Sequence, residues 1–202
     1  MFARKRLKET WKEIRPYFIF AAMLFFAGVV IGMTPDAPTE FLKEQIKGLA
    51  SIAEDVNRSD HPERTMFFLV LLNNITASLL AMGFGVIAGI MPIVMLVTNG
   101  LVVGFLIQRV SGAGESTWEL VLKGLLPHGL FELTAVFLAC AFGMRFGVTL
   151  LKGIFGSAFG KKLPWQPFVS TATGAVPALI AIFALLLIGA GVESTITNWL
   201  LN

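Results

Sequence analysis

The stretch that decides the fold is Met66–Ile107, MFFLVLLNNITASLLAMGFGVIAGIMPIVMLVTNGLVVGFLI, which carries no charged residue. As one helix it would reach about 65 Å, twice the roughly 30 Å of a bilayer's hydrocarbon core. Its middle supplies a place to turn: Gly83, Gly85 and Gly89 followed by Pro92. Glycine permits the backbone conformations of a tight turn and proline ends a helical run. The stretch therefore reads as two membrane spans, Met66 to about Phe84 and about Ile90 to Ile107, joined by a turn over Gly83 to Pro92.

Working outward, three more apolar runs have the length of a span. Tyr17–Met33 is the first, about Leu126–Met144 the fourth and about Phe168–Gly191 the fifth. Basic residues precede the first run, and Val30-Ile31-Gly32 is a passable signal-peptide cleavage site. The apolar core nevertheless exceeds the usual h-region of about 7–15 residues, so the run reads as a retained anchor. The expected fold is all-α: an integral membrane helical bundle with about five transmembrane helices and an outer amphipathic helix. Its parts are a basic N-terminus (1–16), a first span (17–33), an outer segment (34–65), a four-helix membrane core (66–191) and an outer tail (192–202).

Composition agrees. Of 202 residues 55% are hydrophobic and 14% charged, against about 25% charged in a soluble domain. The net charge of +3 is no nucleic-acid signal, because the positive residues gather beside the apolar runs, and the partner they imply is the lipid bilayer. Arg4, Lys5, Arg6, Lys8, Lys12 and Arg15 precede the first span, and Arg145, Lys152, Lys161 and Lys162 lie between the fourth and fifth. Five spans put both groups on one side, which the positive-inside rule makes the cytoplasm. The protein is thus expected to be a multi-pass cell-membrane protein with its N-terminus cytoplasmic and its C-terminus outside.

In the outer segment Phe41, Leu42, Ile46, Leu49, Ile52 and Val56 fall close to helical spacing with charges between them. They predict an amphipathic helix, net acidic, lying on the outer face or against the bundle. Trp118–Leu126, before Pro127, is a second short amphipathic piece. Phe155, Phe159 and the lysines of Leu150–Leu163 fit an interfacial segment on the inner side.

Polar residues inside the apolar runs are the candidate site. Asn73 and Asn74 fall in the second span, Asn99 in the third, and His128 and Glu132 in the fourth. Each is costly in hydrocarbon unless paired or wetted. His128 and Glu132 are four apart, hence on one helix face. Pro127 frees a carbonyl and Gly129 allows a close helix approach. Two readings stay open: a buried polar clasp that fixes packing, or a path for a proton, ion or polar substrate. The glycine pairs Gly28/Gly32, Gly85/Gly89, Gly100/Gly104 and Gly143/Gly147 predict close helix contacts, within the chain or in a homo-oligomer. Cys140 is the lone cysteine and His61 the only other histidine. There is no metal-ligand spacing, phosphate loop or serine–histidine–acid arrangement. The sequence calls for no catalytic residue, metal or cofactor.

Taken together, Asn73-Asn74, Gly89, Pro92, Asn99-Gly100, Gly104, Leu126-Pro127-His128-Gly129, Glu132, Gly143 and Gly147 resemble the stage II sporulation protein M family. The resemblance covers about Met66 to Gly191, and the first span and outer segment match in layout only. It implies a non-enzymatic membrane scaffold that positions cell-wall hydrolase partners at the outer face, in engulfment where the organism sporulates. The other function the residues permit is a homo-oligomeric channel or transporter using Asn99, His128 and Glu132. The five-span topology is tested by single cysteines. Those near position 50 should react with an impermeant thiol reagent from outside and those near 160 only from inside; labelling of both from one side would overturn it.

Overall fold

Proline, glycine and charge punctuate the chain where its helices end. The computed structural model describes residues 2–35, 37–87, 89–114, 116–119, 121–122 and 126–193. Among them are seven helices and no strand: α1 Phe2–Gly32, α2 Thr39–Asn57, α3 Pro62–Phe84, α4 Ile90–Gly112, α5 Thr117–Glu119, α6 Leu126–Ala158 and α7 Gln166–Val192. Five of them, α1, α3, α4, α6 and α7, are long and apolar enough to cross a membrane.

Pro62 opens α3 and Pro167 stands in the first turn of α7, where a missing N–H costs nothing. Gly89 takes φ +72° just before α4, a conformation that L side chains adopt at a cost. The turn between α3 and α4 therefore lies inside the Gly83–Pro92 segment. Its two arms then part: α3 packs on α6 and α7, whereas α4 lies along α1.

Two helices run further than the sequence reading placed them. The basic segment that precedes the first span is itself helical, so that α1 is continuous from Phe2 through Pro16 to Gly32. The fourth run was expected to end near Met144, but α6 continues to Ala158. At 1.5 Å per residue each is about 45–50 Å long, so each projects beyond a hydrocarbon core.

The centre of the bundle is α6. Of its most apolar window 61% is buried, against 22% to 28% for the other four long helices. Small residues make this possible. Ala135, Ala139, Cys140 and Ala141 are fully buried, and neighbouring helices reach the α6 backbone between them. A Cβ on Gly143 would collide with the Ala81 carbonyl and come 2.9 Å from Pro92 Cγ. A Cβ on Gly85 would collide with the Gly143 backbone. Gly147 is buried one turn later. Against this surface Phe137 meets Phe18 and Phe25 of α1 edge-on, with ring centroids 6.0 and 5.4 Å apart.

The second close contact is between α1 and α4. A Cβ on Gly28 would sit 2.6 Å from the Val97 carbonyl, and one on Gly32 would strike Leu101. In return, Cβ atoms on Gly100 and Gly104 would strike the carbonyls of Phe25 and Val29. Both glycine pairs are thus used within the chain, with α1 and α4 running parallel. Gly129 differs from the expectation: among the described residues a Cβ there meets nothing within 4 Å, so none of the described helices closes on it.

The amphipathic segment is α2, and it packs on its own protein. Leu42 is fully buried in a small cluster with Ala37 and Phe105 of α4, and Ile46 packs beside them. Its polar face satisfies itself through Lys43–Glu40 at 2.8 Å, Lys47–Glu44 at 2.7 Å and Arg58–Glu54 at 3.5 Å. The bond donated by Lys43 holds the Glu40 carboxyl below its usual value, and Glu44 holds the Lys47 ammonium above its own.

Adding side chains at the glycines tests this packing. Gly104→Val should destabilise the detergent-solubilised protein by about 1–3 kcal/mol, the usual range for overpacking, whereas Gly129→Ala should leave the thermal transition within about 0.5 kcal/mol of the parent.

Candidate functional site

The polar centre that organises one end of the bundle involves a residue assigned from sequence to a connecting segment. Arg145 belongs to α6, two positions after Gly143, and only 5% of it is exposed. Because α6 does not stop at Met144, its side chain points into the bundle. The guanidinium Nη2 donates to Glu13 Oε2 on α1. The same oxygen accepts a bond from Ser170 Oγ on α7 at 3.3 Å. One carboxylate thereby ties three helices together. Arg145 Nη1 is buried and has no hydrogen-bond partner among the described residues. The backbone of Arg145 takes part as well, its carbonyl accepting from Thr149 Oγ1 at 2.8 Å.

Glu13 faces two environments. It covers the arginine on one side and lines a cleft of about 370 Å³ on the other, with Arg6, Glu9, Gln166, Ser170 and Thr173. The cleft closes where α7 meets α1, since a Cβ on Gly174 would lie 2.8 Å from Thr10 Cγ2. The arrangement joins a buried cation, a half-exposed anion and a hydroxyl group across three helices.

Of the polar residues expected from the sequence to form an intramembrane cluster, two face outward. Asn73 on α3 and Asn99 on α4 lie on outward, exposed faces, and Asn74 is half-buried. Among the described residues no hydrogen bond joins any of the three asparagine side chains to Glu132 or to one another. The side chain of His128 lies outside the described residues. Glu132 sits where α6 meets the C-terminal part of α7. A Cβ on Gly189 would lie 2.6 Å from Glu132 Cγ and 3.4 Å from Oε1, and that oxygen is buried. The glycine is what admits the carboxylate between the helices. Pro127 stands in the first turn of α6, and Pro92 is fully buried against α6. Among the described residues no three His, Cys, Asp or Glu side chains converge as a metal site would require.

Sequence reasoning missed Arg145 and Glu13 as a pair. Glu13 sits among basic residues, and Arg145 reads with the lysines that follow the fourth span, groups that the positive-inside pattern explains without any pairing. The available signal was Glu13 itself, an acid within a basic stretch beside a span.

Fold and site define a class: a helical membrane protein whose long helices are held by glycine contacts and by an ion pair on a buried arginine. The chain belongs to the stage II sporulation protein M family, whose model matches residues 17–198. It is similar to an uncharacterized protein of the archaeon Methanocaldococcus jannaschii, 28% identical over 129 residues, 63% of this chain. The match takes in 66% of that relative, just under two thirds of its length. No solved structure matches the chain.

The ion pair predicts asymmetric mutational effects. Glu13→Gln leaves a buried guanidinium without its counter-charge, at a cost of about 1–3 kcal/mol once the carboxylate's exposure to solvent is allowed for. Adding Arg145→Met to that variant removes the stranded charge and should recover most of the loss in thermal unfolding. A Glu13→Gln protein as stable as the parent would show that the pair does not hold the helices.

Proposed function

We propose that the chain is a five-span, non-enzymatic scaffold of the cell membrane, with its N-terminus in the cytoplasm and its C-terminus outside. Its work is to hold cell-wall-remodelling partners at the outer surface, and in a spore-forming host that process would be engulfment. The observation that carries this reading is where the polar groups lie. Glu132 is packed under Gly189, and of the three cavities described among these residues none is lined by Glu132, Asn74 or Asn99. A transport path needs connected polar, wettable space. The exposed charges of α2, by contrast, are pinned in place by Leu42 and offer a fixed surface to another protein.

The archaeal relative supports a role wider than spore formation, in which the membrane core is shared and the partners vary. The alternative is a homo-oligomeric channel. It draws on Asn99, which faces outward from the middle of α4 without a side-chain hydrogen bond among the described residues and could line a pore between copies together with His128 and Glu132.

A paired experiment separates the two. In cells lacking the native protein, Glu132→Gln should restore function, because an amide keeps the size and bonding of the acid. The double reversal Glu44→Lys with Lys47→Glu keeps net charge and helix but redraws the α2 surface, and it should lose function while inserting normally. Loss of function in Glu132→Gln at unchanged stability, with function retained in the α2 variant, would reject the scaffold in favour of transport.

A further inference from the structure

We propose that the corner between α6 and α7 is a binding site for one anionic phospholipid, its headgroup held by Lys152, Lys161 and Lys162. The site rests on the membrane reading alone and is independent of whether the protein scaffolds or transports.

The corner is rigidly built. At the end of α6, Gly160 takes φ +67°, its N–H donates to the Ser157 carbonyl at 3.2 Å, and the Lys161 N–H donates to Gly156 at 2.9 Å. That pattern caps the last carbonyls of a helix and reverses the chain. The returning loop then packs flat on α6. A Cβ on Gly153 would lie 2.7 Å from the Trp165 ring, and one on Gly156 would lie 2.8 Å from Pro164 Cβ. Leu163 is held at φ +53°, the one non-glycine residue with positive φ among those described. This conformation is costly for a side-chain-bearing residue, and it leaves the leucine 74% exposed. Hydrophobic collapse alone would turn such a side chain inward.

Beside the loop is a cavity of about 640 Å³ lined by Leu151, Phe155, Leu163 and the three lysines, among others. Its chemistry is divided. Phe155 and Phe159 are 58% and 79% exposed, so with Leu163 they form an apolar shelf. The lysines are exposed, and none takes part in a salt bridge among the described residues. A small soluble anion would have no use for the shelf, and an acyl chain none for the ammonium groups. A molecule with an anionic head and a hydrocarbon tail satisfies both. The cavity stands at the end of two membrane-length helices, which is headgroup depth, and a lysine near an anionic surface adds about fivefold in affinity.

The experiment uses the full chain in detergent, with phosphatidylglycerol and phosphatidylcholine as probes and native mass spectrometry to count retained lipids. One phosphatidylglycerol should be retained per chain at a preference on the order of tenfold or more over phosphatidylcholine. The triple variant K152Q/K161Q/K162Q should lose that preference, and the loop pair K161Q/K162Q should lose part of it. Both should keep the parent's thermal transition in phosphatidylcholine, because the substituted side chains are exposed. The control K5Q/K8Q/K12Q removes as many lysines from α1 and should retain the preference. Equal binding of the two lipids, equal loss in the α1 control, or displacement of the lipid by millimolar glycerol phosphate would overturn the site.

Discussion

The bundle depends on helices approaching until backbone touches backbone. In a bilayer the lipid tails are as apolar as leucine, so no hydrophobic force draws two spans together, and close van der Waals contact must do so. Glycine provides it here in two places: Gly28 and Gly32 against Gly100 and Gly104, and Gly85 against Gly143. The first joins α1 to α4 and the second seats α3 on α6. These contacts also decide the course of the α3–α4 turn. The two helices share a turn but little packing, because each packs on another partner, α3 on α6 and α4 on α1.

A chain assembled this way has less need of polar bonds at mid-membrane, and the ion pair that joins separate helices lies at one end. Arg145 can be buried because Glu13 reaches it from α1 and Ser170 joins them from α7. Pairs of this kind contribute little net stability over apolar substitutes, but they penalise every arrangement that separates them. Glycine seams tolerate sliding along their ridge, whereas a buried guanidinium with one counter-charge does not. The ion pair thus supplies the register that the seams leave loose, joining α1, α6 and α7 at a single height.

Much of this was legible in the sequence, and the rest was hidden for physical reasons. Long apolar runs reveal spans because helices in hydrocarbon must satisfy their backbones internally. Gly83 to Pro92 revealed the turn, and the spacing of Leu42, Ile46 and Val56 revealed α2. What a uniformly apolar helix conceals is its facing. With residues apolar all round there is no moment to say which side is inward. Asn73 and Asn99 therefore read as interior although their faces are exposed. Arg145 read as exterior because basic residues near a span are ordinarily topogenic. The helix end was hidden too: Gly156, Gly160 and Lys161 form the cap, well past the point where apolarity thins.

The contrast between inward Arg145 and outward Asn99 bears on what the molecule is for. A transporter concentrates its polar groups along a shared interior path, so that the energetic cost of burying them is offset by function. Here alanine, glycine and phenylalanine fill the interior around most of α6, with Arg145 buried at one end. What varies freely in such an object is its ends: the charged face of α2, fixed by Leu42 against Phe105, and the lysine-edged corner after α6. The two ends are chemically distinct, and a change at either need not disturb the glycine seams between them. The family's core could on that basis be retained in an archaeon while the surfaces it presents are redrawn.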